Sequence, residues 1–136
     1  MHNQQSNMFY DRRKDVMDKE KSIAYKRAIA NFKSKNPFFI SFMHPSYISK
    51  SGFLCIKLAF AREYIPENCS NIVLRVPGRG SWPVKYCLGT AQAKFWTGWT
   101  EFVLDNQLKI GDVCVFEVIE GTQLSIDVTI FRAAEN

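Results

Sequence analysis

Ile72, Leu74 and Val76 alternate with Val73 and Arg75. Pro77-Gly78-Arg79-Gly80 follows, and Trp82, Val84, Tyr86 and Leu88 then alternate with Pro83, Lys85 and Cys87. A period of two on both sides of a Pro-Gly turn dictates a β-hairpin, whose residues of one parity face a core while the other parity faces outward. Trp82, Val84 and Tyr86 therefore belong inside, and Pro83, Lys85 and Cys87 lie on the second face. A hairpin exposes two unpaired edges, so the remaining chain must supply partners for both.

The sequence after Phe38 supplies them. Short apolar runs predict strands over 38–43, 53–58, 94–96, 112–119 and 124–131, broken at His44-Pro45-Ser46, at the loop Gly89-Thr90-Ala91-Gln92-Ala93 and at the turn 120–123. Residues 59–65 suit a short helix stopped by Pro66. Residues 98–106 suit a second, with Trp99, Phe102 and Val103 facing inward. Hydrophobic residues make up 46% of the chain, enough for a substantial core in one domain of 136 residues. Seven strands with two short corner helices are most economically arranged as a closed or nearly closed β-barrel, because closure removes exposed edges.

Residues 1–36 differ in kind. They carry the whole net charge of +5, while residues 37–136 balance nine basic against nine acidic residues. The expected division is a basic N-terminal segment with an amphipathic helix over 1–36 and a β domain over 37–136. Tyr25, Ala28, Ile29 and Phe32 fall at helical spacing and form one apolar stripe, and Asn36-Pro37 is the expected stop. The stripe can pack back onto the barrel, or residues 22–33 can serve self-association or a protein partner. The first ~15 residues lack periodicity and read as a mobile tail.

Several function classes find no support. No run approaches the ~20 apolar residues of a membrane span, and the polar start lacks the apolar region of a secretory signal, so an intracellular soluble protein is expected. Cys55, Cys69, Cys87 and Cys114 are scattered singly and read as reduced thiols. With only His2 and His44 as imidazoles, no metal site is expected. G-x-S-x-G, H-E-x-x-H and P-loop patterns are absent from the sequence, and His44 has no assigned orienting acid, so no catalytic residues, cofactor or small-molecule substrate are expected. Asp112 after Gly111 reads as a turn-capping carboxylate rather than a catalytic acid.

Asn36-Pro37-Phe38-Phe39, His44-Pro45-Ser46-Tyr47 with Lys50 and Gly52, Trp82-Pro83-Val84-Lys85-Tyr86, Gly98-Trp99 with Phe102, and Leu108 to Glu117 together resemble the plant B3 DNA-binding domain. Lys26-Arg27-Ala28-Ile29-Ala30 ahead of them is similar to its reproductive-meristem and vernalization-protein branch. The resemblance implies a mostly β fold, a seven-stranded open pseudobarrel with two short helices, placing two arms in the major groove of double-stranded DNA. It implies a nuclear, non-enzymatic regulator of transcription or chromatin. Transferred by position, the first arm is His44 to Gly52, with Ser46, Lys50 and Ser51 as DNA-contacting candidates. The second runs from Arg79 through Lys85 and Cys87 to Lys94, with Arg79, Lys85, Thr90, Gln92 and Lys94 as candidates. Cys87, Leu88 and Gly89 stand where sequence-specific branches carry arginine, tryptophan and asparagine, so weak base discrimination is expected. The rival reading is a protein-interaction or oligomerisation module that has lost DNA binding.

Overall fold

The computed structural model describes residues 22–121 and 123–133. The tail expected over the first ~15 residues, including Arg12-Arg13-Lys14, lies outside them. Seven strands form one curled sheet: β1 (Phe38–Phe42), β2 (Leu54–Ile56), β3 (Asn71–Val76), β4 (Gly80–Leu88), β5 (Ala93–Phe95), β6 (Val113–Ile119) and β7 (Ser125–Phe131). Their order is β1-β6-β7-β3-β4-β5-β2, antiparallel throughout except where β3 meets β7. β1 and β2 are the sheet's two edges and do not pair with each other. An open groove of about 550 Å³ lies along β1 and reaches β2, lined by Phe38, Ile40, Phe42, Cys55, Lys57 and Phe60 among others.

Four helices are found among the described residues: α1 (Ile23–Asn31), α2 (Pro45–Ile48), α3 (Leu58–Tyr64) and α4 (Trp99–Asp105). The one-turn α2 replaces the expected break at His44-Pro45-Ser46. Proline is tolerated at the first helical position, where its missing N–H would have no intrahelical partner. Inside the curl, Trp99, Phe95, Phe102 and Phe116 are fully buried. Phe39 stacks on Phe116 at 4.8 Å between ring centroids.

The apolar face of α1 is turned from the expected stripe. Ser22 caps the helix by accepting from the Tyr25 N–H. Ala24 and Ala28 are fully buried against Val113 and Val115, with Tyr25 and Phe32 flanking them. Ile29 instead points outward at 51% exposure. Small alanines let the helix backbone approach the sheet closely, and that sets its rotation. The helix also ends before Pro37: Phe32 is extended, and its N–H caps the Ala28 carbonyl at 2.9 Å. Glu117 anchors the connection to β1 by accepting from Ser34 Oγ and Asn36 Nδ2.

Asp112 acts as the expected turn cap. Its buried carboxylate accepts from the backbone N–H groups of Lys109 and Ala133 and pairs with Arg132 at 3.1 Å. Tyr86 is buried on the inner face of β4, and burial pushes its phenol up to about 12, with the Cys69 and Cys87 thiols adding to the shift. An acid whose folded pKa is raised contributes stability that is complete below its unfolded value and is lost as pH climbs through the folded value. Tyr86 should therefore lower the unfolding temperature as pH rises from about 10 toward 12. Tyr86→Phe should flatten that fall in a calorimetric pH series. A residual slope should persist, because burial also raises the Cys114 thiol. Identical profiles for the two proteins would contradict the assignment.

Candidate nucleic-acid interface

The outer face of β3, β4, β5 and β2 collects most of the candidate residues. Across β4 and its neighbours the register pairs Asn71 with Lys85, and Cys87 with Lys94; Lys94 in turn pairs with Cys55 of β2. Alternation keeps Val84, Tyr86, Ala93 and Phe95 buried, so Lys85, Cys87 and Lys94 fall on the other side. Lys85 and Cys87 are exposed. Lys94 is half-buried, with its ammonium 4.7 Å from the centroid of the Phe53 ring.

Two segments frame this face from opposite ends of β5. The loop 89–92 closes through the Gly89 N–H and Gln92 carbonyl at 2.9 Å, exposing Thr90 and Gln92. The Gln92 side chain lies near the Cys55 thiol and opposes the upward push of burial on it. At the other end, residues 44–53 lead through α2 into β2, with Ser46, Lys50 and Ser51 exposed. This segment is held from α4: the Trp99 indole donates to the Tyr47 carbonyl at 2.8 Å, and the Thr100 hydroxyl to that of Lys50 at 3.4 Å. Gly52 permits its tight path, since a Cβ there would sit 2.5 Å from the Ser46 carbonyl oxygen. With three residues in β5, the two arms are about 10 Å apart along the strand.

Arg79 is not brought to this group. It lies in the β3–β4 turn, and its guanidinium donates to the Asp105 carbonyl at 3.2 Å. Six residues of extended chain place it roughly 20 Å from Lys85. The acids engaged by side chains are elsewhere: Asp127 with Arg75, Asp112 with Arg132, and Asp105 with the Trp82 indole. Among the described residues, none of Lys50, Lys85 and Lys94 enters an ion pair. No cluster of potential metal ligands occurs among them.

Two aromatic residues on this face were not among the sequence-derived candidates. Trp96 follows β5 at 48% exposure, and Phe53 precedes β2 at 37%. Extending the β2–β5 register by one residue sets them opposite each other. The Trp96 N–H donates to the Lys85 carbonyl, while the Lys85 N–H donates to that of Thr97. Two residues thus share one on β4, as in a bulge. Their signal in the sequence was parity alone: each is two residues from an outward-facing Cys55 or Lys94.

The thiols differ as their positions require. Cys55 is half-buried and its thiol is pushed up by burial, an effect opposed by the Lys94 charge and the Gln92 hydrogen bond. Burial likewise raises Cys69, opposed by hydrogen bonding with the Asn71 backbone, and it raises the fully buried Cys114 strongly.

Comparison with known proteins gives a consistent picture. The sequence profile of the B3 DNA binding domain matches residues 39–134. The B3 domain-containing transcription factor VRN1 of Arabidopsis thaliana is 34% identical over 91% of this chain and 36% of its own length. A B3 domain-containing protein of Oryza sativa subsp. japonica is 35% identical over 85% of this chain and 29% of its own. The chain thus spans about a third of the length of these relatives. Among solved structures, the Arabidopsis FUS3–DNA complex aligns with a TM-score of 0.58 and 16% identity, covering 72% of this chain and 100% of that one. The Arabidopsis LEC2–DNA complex aligns at 0.54 and 15%, covering 74% and 100%. These likenesses establish the shared pseudobarrel fold.

Thiol labelling tests the geometry directly. In the folded protein at neutral pH, a maleimide should modify Cys87 first, with Cys114 reacting only on unfolding, because reaction needs an accessible thiolate. Peptide mass mapping reads the order, and early labelling of Cys114 would contradict the burial of β6.

Proposed function

Because the chain belongs to the B3 DNA binding domain family, whose members are DNA-binding modules of transcription factors and not enzymes, we propose that it is the double-stranded DNA-binding domain of a plant transcription or chromatin regulator acting in the nucleus. The observation that carries this reading is the outer face of β4 and β5, where Lys85 and Lys94 stand between two exposed arms without acidic partners among the described residues. A separation of about 10 Å between the arms suits a major groove about 12 Å wide. Lys50, Lys85 and Lys94 would meet phosphates, with Ser46, Ser51 and Thr90 as neutral hydrogen-bonders and Gln92 at the base edges. Arg79, held at Asp105, stands outside this group. The basic segment 1–36 precedes the domain over 37–136 and adds long-range phosphate attraction through its excess charge of +5.

Sequence preference is expected to be low. Arginine and asparagine grip guanine and adenine edges bidentately, yet the arms offer lysines, hydroxyls and the single amide of Gln92. Affinity then comes largely from counterion release, with log K falling against log salt by about 0.9 per phosphate neutralised, hence a slope of roughly −3 to −5.

Two measurements test the proposal. Lys85→Glu combined with Lys94→Glu should weaken duplex binding at least about tenfold, through charges brought against phosphate. Exposed substitutions usually shift stability within about 0.5 kcal/mol, and loss of the Lys94–Phe53 contact adds about 0.5 to 1 kcal/mol. Parental affinity in the double variant would remove this face from the interface. Competition of a selected duplex against random duplex at ~100 mM salt should show a preference below about a thousandfold, the lower bound for dedicated readers. A larger ratio would contradict the low-specificity reading.

A further inference from the structure

Phe53 and Trp96 are large aromatic residues left exposed in the middle of a cationic face. The other exposed large apolar residues, Ile23, Ile29, Tyr64, Leu104 and Ile110, are borne by helices α1, α3 and α4 or by a turn, and isolated exposures of that kind are ordinary. Phe53 and Trp96 instead face each other across the end of the β2–β5 ladder, with Lys94 over the Phe53 ring and Lys85 bonded beside Trp96. Cys55 and Cys87, on either side of Lys94, continue the weakly polar surface.

We propose that Phe53 and Trp96 form an apolar shelf that seats against the C5-methyl groups of pyrimidines in the major groove, so that this face reads thymine, and by the same chemistry 5-methylcytosine, without bidentate hydrogen bonds. The inference rests on the DNA-binding reading above and deepens it. Charge complementarity fixes the occupant: lysines on both sides draw the surface onto a polyanion, and apart from the single indole N–H of Trp96 the two rings offer phosphate oxygen no donor. The C5-methyl group is the apolar feature that the major-groove edge of a base pair presents. Lys94 sits over one face of the Phe53 ring, which takes that face from a stacking base and favours methyl contact there. The shelf also answers what the arms lack. Discrimination by methyl contact is modest per base pair, in keeping with low overall preference.

The test compares one short mixed-sequence duplex in three forms: with thymine, with every thymine replaced by uracil, and with every cytosine replaced by 5-methylcytosine. Binding is followed by anisotropy at ~100 mM salt. The parent protein should bind the uracil form roughly three- to fourfold more weakly for each methyl group contacted, and the methylated form more tightly than the first. Trp96→Ala and Phe53→Ala should each bind the thymine and uracil forms alike while keeping the parental salt slope. Equal affinity of the parent for these two forms overturns the shelf and leaves DNA binding standing. Failure to bind any form overturns both. Preference for the single strand over the duplex would identify a stacking platform instead and overturn the proposal. The parent's response to uracil requires no variant, so the outcome does not depend on how the substitutions affect folding.

Discussion

The approach of Gly98 to β4 is the constraint on which the rest of the fold turns. Gly98 has a φ of +95°, and a Cβ there would lie 2.3 Å from the Pro83 carbonyl oxygen. A glycine with left-handed backbone is therefore required on both counts. Its position delivers Trp99 into the core at the start of α4, where the indole reaches out to the Tyr47 carbonyl. One residue of backbone freedom thus couples the hairpin, the corner helix and the arm that carries Lys50.

The opposite flank of the barrel shows what this arrangement leaves free. Charges on or near β6 and β7 are mutually occupied: Asp112 holds Arg132, Asp127 holds Arg75, and Glu117 holds the linker from α1. Residues 37–136 are electroneutral as a whole, yet among the described residues Lys85 and Lys94 of β4 and β5 form no ion pair, so net charge alone does not describe the local field at that face.

Much of this was legible in sequence because strand alternation is a strict signal. The inward set Val84, Tyr86, Phe102 and Val103 and the outward set Pro83, Lys85 and Cys87 lie as parity and helical spacing dictate. Legibility failed where a residue's identity outweighed its position. Ile29 looked like the better anchor for α1, yet the smaller Ala24 allows a closer approach to Val113 and so takes the buried face. His44-Pro45 reads equally as a break and as a helix start. Arg79 is cationic and in a turn, but its distance from Lys85 depends on strand length, which sets it apart from the other candidates, and one guanidinium N–H donates to the Asp105 carbonyl. Trp96 and Phe53 went unremarked because large aromatic residues are presumed internal, and the strand that Trp96 follows is too short to show its period.

The unpaired edges of β1 and β2 have a mechanical consequence. No ladder hydrogen bond crosses the groove between them, so spreading the barrel along that seam strains side-chain packing but breaks no backbone pairing. By strand pairing the β4–β5–β2 wall joins the rest of the sheet through β3 alone, so what holds it against β6 and β7 is the shared core, the Phe95–Phe116 ring contact included, whereas β6 and β7 are each paired on both sides and packed under α1.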